Sequence, residues 1–270
     1  MEDKKMKKLL SILLILTMVI SFAACSRAQK TSTNAGDSDL AYVKANGKLI
    51  IGYTVYAPMN YTDENGEFTG FDTELAIIVC EKLGLKPEFV EINWDTKEVE
   101  LNAKSIDCIW NGLTINDERK ATMEITKPYV KNAQVVLVKE GTAYEGTASL
   151  IGKTVVAEQG SAGEDVVKED ENLKQANYVP KTLQTECLME VKAGTADAAV
   201  LDLTLAKTMT GKGTNYEDIK IVDYLAEEDY GVAFRKGSDI CAEVNKIFDE
   251  MVADGTMGKL AEKYGLELSE

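Results

Sequence analysis

From residue 47 onward, short apolar runs alternate with amphipathic helical stretches, and this alternation limits the chain to a few architectures. Residues 48–53 (KLIIGY) read as a buried strand. Asp72 is expected to cap a helix whose apolar face is Leu75, Ile78, Val79 and Leu83 and which Gly84 ends. A second strand follows at 88–92, a helix at 96–104 and a third strand at 106–110. Strands that recur between helices predict a parallel sheet covered by those helices.

The pattern repeats faintly. GKTVV at 152–156 echoes GKLII at 47–51, and AGTADAA at 193–199 echoes AKSIDCI at 103–109. Two lobes of like topology account for both echoes, and so does chance likeness between any two αβ units. AQVVLVK at 133–139 and YGVAFR at 230–235 are strands suited to carrying the chain from one lobe to the other and back. Near the C-terminus, Ile240, Val244, Ile247, Phe248 and Met251 share one helix face, and Met257, Leu260, Ala261 and Tyr264 share another after Gly255. Both helices are expected to return to the first lobe.

Charge and residue types narrow the function. Thirty basic against 45 acidic groups leave a net charge of -15, which opposes a phosphate backbone, so no nucleic-acid partner is expected. The chain has no histidine, which removes the usual general base and the Ser-His and Cys-His nucleophile pairs. No cofactor and no metal site are expected.

Residues 1–24 run from MEDKKMKK through the apolar LLSILLILTMVI to small residues, the grammar of an export signal. The apolar run is about half the length of a spanning helix. Phe22-Ala23-Ala24-Cys25 resembles a bacterial lipobox, which implies a diacylated Cys25 at the mature N-terminus and a protein fixed to the extracytoplasmic face of the cell membrane. Residues 25–40, polar apart from scattered alanine, are expected to form a flexible tether. The other four cysteines, Cys80, Cys108, Cys187 and Cys241, sit in apolar-periodic stretches and read as small core residues, although an exported protein can pair them.

In open α/β sheets, ligands sit beyond the carboxyl ends of the strands. Tyr56 follows the first strand, Trp94 the second, and Asn111, Gly112 and Thr114 the third. In the second lobe, Gly160-Ser161-Ala162 follows the first strand and Asp202 the last. Arg119, on a short helix capped by Asn116, offers a guanidinium that can grip a carboxylate, and the amides at 160–162 offer a second anion cradle. Asp202 supplies the opposite charge. A cation and an anion flanked by aromatic faces suit a zwitterion such as an α-amino acid. Taken singly, each residue has a plainer reading: Arg119 as a surface charge, Tyr56 and Trp94 as partly buried core rings, and Asp202 as the cap of a helix at 203–209. Trp110 reads as core, and NGEF at 65–68 as a hairpin turn.

These residues resemble bacterial solute-binding proteins of family 3, which feed polar amino acids to ABC importers. The matching stretches, in family order, are GKLIIGYTVYAPM, NGEFTGFDTELA, IDCIWNGLTINDERK, GKTVVAEQGSAGED, AGTADAAVLD, YGVAFRKG and DGTMGKLAEKYG. The resemblance implies a two-lobed periplasmic-binding-protein-like (type II) α/β fold with a two-strand hinge, lobe I being 41–130 with 233–270 and lobe II 135–228. It implies that Tyr56 and Trp94 sandwich the ligand and that Arg119 holds its carboxylate with the Ser161 and Ala162 amides. Thr114, the Gly112 carbonyl and Asp202 would take the ammonium. Partners would be an amino acid, an ABC permease and the membrane, with a monomeric carrier.

The sequence also departs from the family pattern. The loop after the first strand is a residue shorter, Tyr53 stands where many members have Asp, Asn111-Gly112 replaces Ser-Ser or Ser-Gly, and Ala162 replaces Thr. Side-chain specificity is where these differences bear. Two further readings compete. One is a dehydratase of cyclic carboxylic acids on the same scaffold, although no paired carboxylates are evident in the sequence. The other is a sensing ectodomain, expected to continue into a transmembrane helix.

Overall fold

The computed structural model describes residues 38–269. The export signal, Cys25 and most of the expected tether lie outside the described residues. One nine-stranded sheet organises them, with strands β1 (Lys48–Tyr53), β4 (Lys86–Glu91), β5 (Cys108–Thr114), β6 (Met123–Ile125), β7 (Val130–Lys139), β8 (Thr154–Glu158), β9 (Asn177–Lys181), β10 (Ala198–Asp202) and β11 (Ile219–Arg235). Strands β2 (Tyr61–Thr62) and β3 (Phe68–Thr69) form the hairpin expected around NGEF.

The sheet order is β4-β1-β5-β11-β7-β10-β8-β9, with β6 also on β11. On one side β4, β1 and β5 are parallel, on the other β10, β8 and β9 are parallel, and every pairing between these two sets is antiparallel. The two lobes therefore repeat one αβ scheme and are joined by a pair of long strands. β7 pairs β11 from Lys139↔Ile219 to Val130↔Tyr230, after which β11 continues along β5 and β6. Only the stretch at 230–235 was legible as strand. The preceding part of β11 is polar and broken by irregularities at 221/223 and 224/226, so it lacks a clean two-residue period.

Side chains alternate across the central strands as the pleat requires. Val135 and Leu137 join a core with Cys187, Leu188 and Leu205 on one face. Val136 and Val138 join Val155, Val167 and Leu173 on the other. The first lobe repeats this, with Cys108 and Trp110 on one face and Ile109 and Leu113 packed with Leu101 and Met123 on the other. Helices cover these faces: α2 (Phe71–Leu83), α3 (Lys97–Asn102), α4 (Asp117–Thr122), α5 (Ala162–Glu169), α6 (Gln184–Ala193), α7 (Leu203–Met209), α8 (Ile240–Ala253) and α9 (Thr256–Tyr264). The last two return to the first lobe, where Phe248 meets Trp110 at 6.0 Å and Tyr129 at 5.9 Å between ring centres. All four core cysteines are buried and unpaired.

Four expectations are corrected. Residues 38–40 belong to no tether: Ser38 Oγ accepts the Ala41 amide and so caps α1 (Asp39–Asn46). Asp39 is drawn into an ion pair with Arg235 Nε at 2.8 Å, and the same guanidinium reaches Asp107 at 3.1 Å. Asp72 does not cap α2. Gly70 holds that position at φ 128°, where a Cβ would meet the Met59 carbonyl oxygen at 2.1 Å. The helix expected at 96–104 divides into a 3-10 turn (Trp94–Thr96) and α3. Finally, Asn111–Thr114 is no loop, because β5 runs to Thr114 and is buried throughout.

Candidate functional site

Nine of the residues singled out beyond the strand ends line one cleft. Tyr56, Trp94, Asn111, Gly112, Thr114 and Arg119 come from the first lobe, and Ser161, Ala162 and Asp202 from the second. Glu158 and Gln184, which the sequence reading passed over, complete the lining.

Arg119 is placed by α4. Asn116 Oδ1 accepts the Arg119 amide at 2.8 Å, as the capping pattern predicts. The guanidinium donates Nη1 to the Thr114 carbonyl at 2.8 Å and approaches the Gly160 carbonyl across the cleft at 3.5 Å. Lys97 lies beside it, donating Nζ to the carbonyls of Gly160 (2.8 Å) and Trp94 (3.1 Å), 5.0 Å from the Trp94 ring centre. Burial, with the neighbouring Arg119 charge, lowers the Lys97 pKa to about 8.

Opposite the cations, Ser161 caps α5 by accepting the Glu164 amide at 3.1 Å, and its own N–H is turned back to the Glu158 carbonyl at 3.2 Å. The amides of Ala162 and Gly163, the first two residues of α5, have no acceptor within the helix.

Asp202 occupies the capping position of α7 but makes no side-chain cap bond. Its Oδ1 accepts Asn132 Nδ2 (2.7 Å) and Gln134 Nε2 (2.6 Å), and its Oδ2 accepts Gln184 Nε2. The same two amides of Asn132 and Gln134 also serve Glu228, at 2.6 and 3.0 Å, and Thr114 donates its hydroxyl to Glu228 at 2.9 Å. Burial, followed by the charge of Asp202, raises the Glu228 pKa to about 8. Burial and Asp202 likewise push Glu158 to about 8 against the opposing influence of Lys97.

The aromatic walls are fixed from below. Tyr56 OH contacts both Thr204 Oγ1 and Tyr230 OH, and its ring lies edge-on to Tyr230 with centres 6.5 Å apart. Gly112 has φ 58°, and a Cβ there would fall 2.7 Å from Tyr56 Cε1. The Gly112 amide donates to Asp72 Oδ2 at 2.7 Å, and Tyr129 OH donates to the same carboxyl at 2.8 Å. Asp72 is fully buried, which raises its pKa to about 7 although these donors pull it down.

One expected contact is redirected. Asn111 Oδ1 accepts the Thr54 amide (3.0 Å) and hydroxyl (2.8 Å), while Nδ2 donates to the Thr54 carbonyl (2.9 Å) and Asn60 Oδ1 (2.7 Å). Its carboxamide is saturated by the segment that carries Tyr56, and none of its bonding capacity faces a guest.

The sequence profile of the bacterial extracellular solute-binding proteins, family 3, matches residues 49–267. The chain belongs to that family. A probable amino-acid-binding protein, YxeM of Bacillus subtilis (strain 168), is 31% identical over 271 residues, covering 96% of each chain. Among solved structures, a mutant of ArgBP from T. maritima superposes with TM-score 0.78 and 31% identity, over 84% of this chain and 98% of the other. The ancestral amino-acid-binding protein AncCDT-1, a precursor of cyclohexadienyl dehydratase, superposes with TM-score 0.77 and 32% identity, over 84% and 99%. This family 3 member thus has the two-lobed α/β fold expected from its motifs.

Of the residues missed in the sequence, Glu158 had a usable signal, since it ends an otherwise apolar strand just before the Gly160-Ser161 turn. Gln184, Asn132, Gln134 and Glu228 had none. Their roles arise from juxtaposition across the sheet rather than from any local pattern.

Proposed function

We propose that this family 3 member is the extracytoplasmic binding component of an amino-acid ABC importer. It would close its lobes on the zwitterionic backbone of a polar amino acid and pass it to a permease. Arg119 and the Ala162 amide take the α-carboxylate, Asp202 takes the ammonium, and Tyr56 and Trp94 flank the ligand. Thr114 and the Gly112 carbonyl border the ammonium side. In this reading lobe I comprises 41–130 and 233–270, lobe II comprises 135–228, and acylated Cys25 holds a monomeric carrier at the membrane.

The observation that supports it most is that Arg119 and Asp202, from opposite lobes, line the same small cleft. Ligand bridging both gains contacts in the closed state that the open state lacks, which is the energetic basis of hinge closure. Family 3 relatives with amino-acid-binding names agree with it. A thermal-shift screen of the common amino acids and cystine tests the reading, since a ligand that binds only the folded state raises Tm. No shift with any amino acid at millimolar concentration would count against it.

A second reading draws on a specific feature. Glu158, protonated up to about pH 8, is a candidate general acid, and AncCDT-1 is a precursor of a dehydratase. Product formation from prephenate or arogenate would establish that reading and displace the first.

A further inference from the structure

Lys97 is buried, 6% exposed, in a poor place for a cation. It opens α3, where the helix dipole favours negative charge. Arg119, also buried, stands beside it, and both reach the Gly160 carbonyl, at 2.8 and 3.5 Å. The side-chain hydrogen bonds of the two cations go to backbone carbonyls, and among the described residues neither has a carboxylate within ion-pair distance. Acids face Lys97 at longer range: Glu98 on its own helix, Glu158 at the end of β8 and Asp165 on α5. Glu158, raised to about 8, is mostly protonated at neutral pH, and neighbouring Asp95 is engaged by Gln159 Nε2 at 3.0 Å.

Part of this surrounding comes from the second lobe. Gly160 approaches so closely that a Cβ on it would stand 2.9 Å from Asp95 Cα. Closing on this seam exchanges the water around Lys97 for one carbonyl and shuts two like charges into a medium where they repel more strongly. Burial and the Arg119 charge hold the Lys97 pKa near 8, as expected of an ammonium that loses more in water than it gains from the seam. Resting on the reading that Arg119 receives a ligand carboxylate, we propose that Lys97 is a positioning cation that opposes closure of the empty cleft, and that the incoming carboxylate offsets the paired charges and lets the lobes shut. Lys97 thereby couples closure to the arrival of an anion, although it does not line the cleft itself.

Single-molecule energy transfer tests this on the full chain carrying Cys25→Ser, with dyes on Glu64→Cys in the first lobe and Met189→Cys in the second. Both positions are exposed, and the four core cysteines are buried. At pH 7 without amino acid, Lys97→Met is expected to raise the ratio of closed to open molecules at least fivefold. The rise on moving from pH 7 to pH 9 should be at least threefold larger in the unaltered protein than in the variant. Each common amino acid and cystine is then added in turn, and the closing that any of them drives should be at least fivefold smaller in Lys97→Met. A variant more open than the unaltered protein would make Lys97 a latch and overturn the proposal, and an unchanged ratio overturns it as well. If amino acids close both proteins to the same degree, the amino-acid reading stands without Lys97. If no amino acid closes or binds the unaltered protein, that reading falls and the coupling falls with it.

Discussion

Asp72 offers the sharpest quantitative check, because a carboxyl fully buried between the Gly112 amide and the Tyr129 hydroxyl must pay for ionisation in stability. Its folded pKa is raised from 3.8 to about 7. Between those values the folded protein holds a proton that the unfolded chain releases. The contribution of Asp72 to stability is therefore greatest below about pH 4, declines as pH rises, and levels off above about pH 7. At 1.36 kcal/mol per pKa unit, the decline is of order 4 kcal/mol.

Asp72→Asn removes the proton equilibrium while keeping the shape. Urea unfolding of both proteins from pH 4 to pH 8 gives a difference in which most other titrations cancel. The native protein's advantage over the variant should shrink by a few kcal/mol across that interval. A pH-independent difference would refute the raised pKa and with it the idea that the floor beneath Gly112 rests on a neutral acid.

Other outcomes are expected. Arg119→Ala should weaken amino-acid binding by at least about 100-fold, since two charge-assisted bonds of about 1.5–3 kcal/mol each are lost, with circular dichroism unchanged. Asp202→Asn should weaken amino acids far more than analogues lacking the ammonium, and equal losses by calorimetry would reject the pairing. Gly112→Ala should destabilise the fold by about 1–3 kcal/mol and impair binding, because the methyl meets Tyr56 at 2.7 Å in a left-handed backbone, as denaturant titration would show. Arg235→Met should cost about 3–5 kcal/mol by stranding buried Asp107, whose Oδ1 it otherwise pairs at 3.1 Å.

Much of the fold was legible because its signals are local. Apolar runs and Gly or Asn punctuation located β1, β8, β10 and the closing helices, and the rule that ligands gather beyond strand ends brought Tyr56, Trp94, Arg119, Ser161, Ala162 and Asp202 into one list. The failures have physical causes too. Asp72 stands one residue into a helix, where an acidic side chain favours the N-terminus by charge alone, and only tertiary burial against Gly112 and Tyr129 reveals its other function. Asn111 lines the cleft as its neighbours suggest, and that its carboxamide turns to Thr54 and Asn60 is fixed by the path of the 54–60 segment, which no local pattern shows. Nothing local in β7 or β11 hints that Asn132, Gln134 and Glu228 gather around Asp202.

Those last three residues lie on the strands that join the lobes. Through them a continuous chain of hydrogen bonds leads from Thr114 by way of Glu228, Asn132 and Gln134 to Asp202 and Gln184. Any swing of one half against the other must strain this chain as it bends the strands beneath it. On the proposed function, gaping of the molecule and slackening of its negative pole would be a single mechanical event, and release of an amino acid would need no separate trigger at the carboxylate.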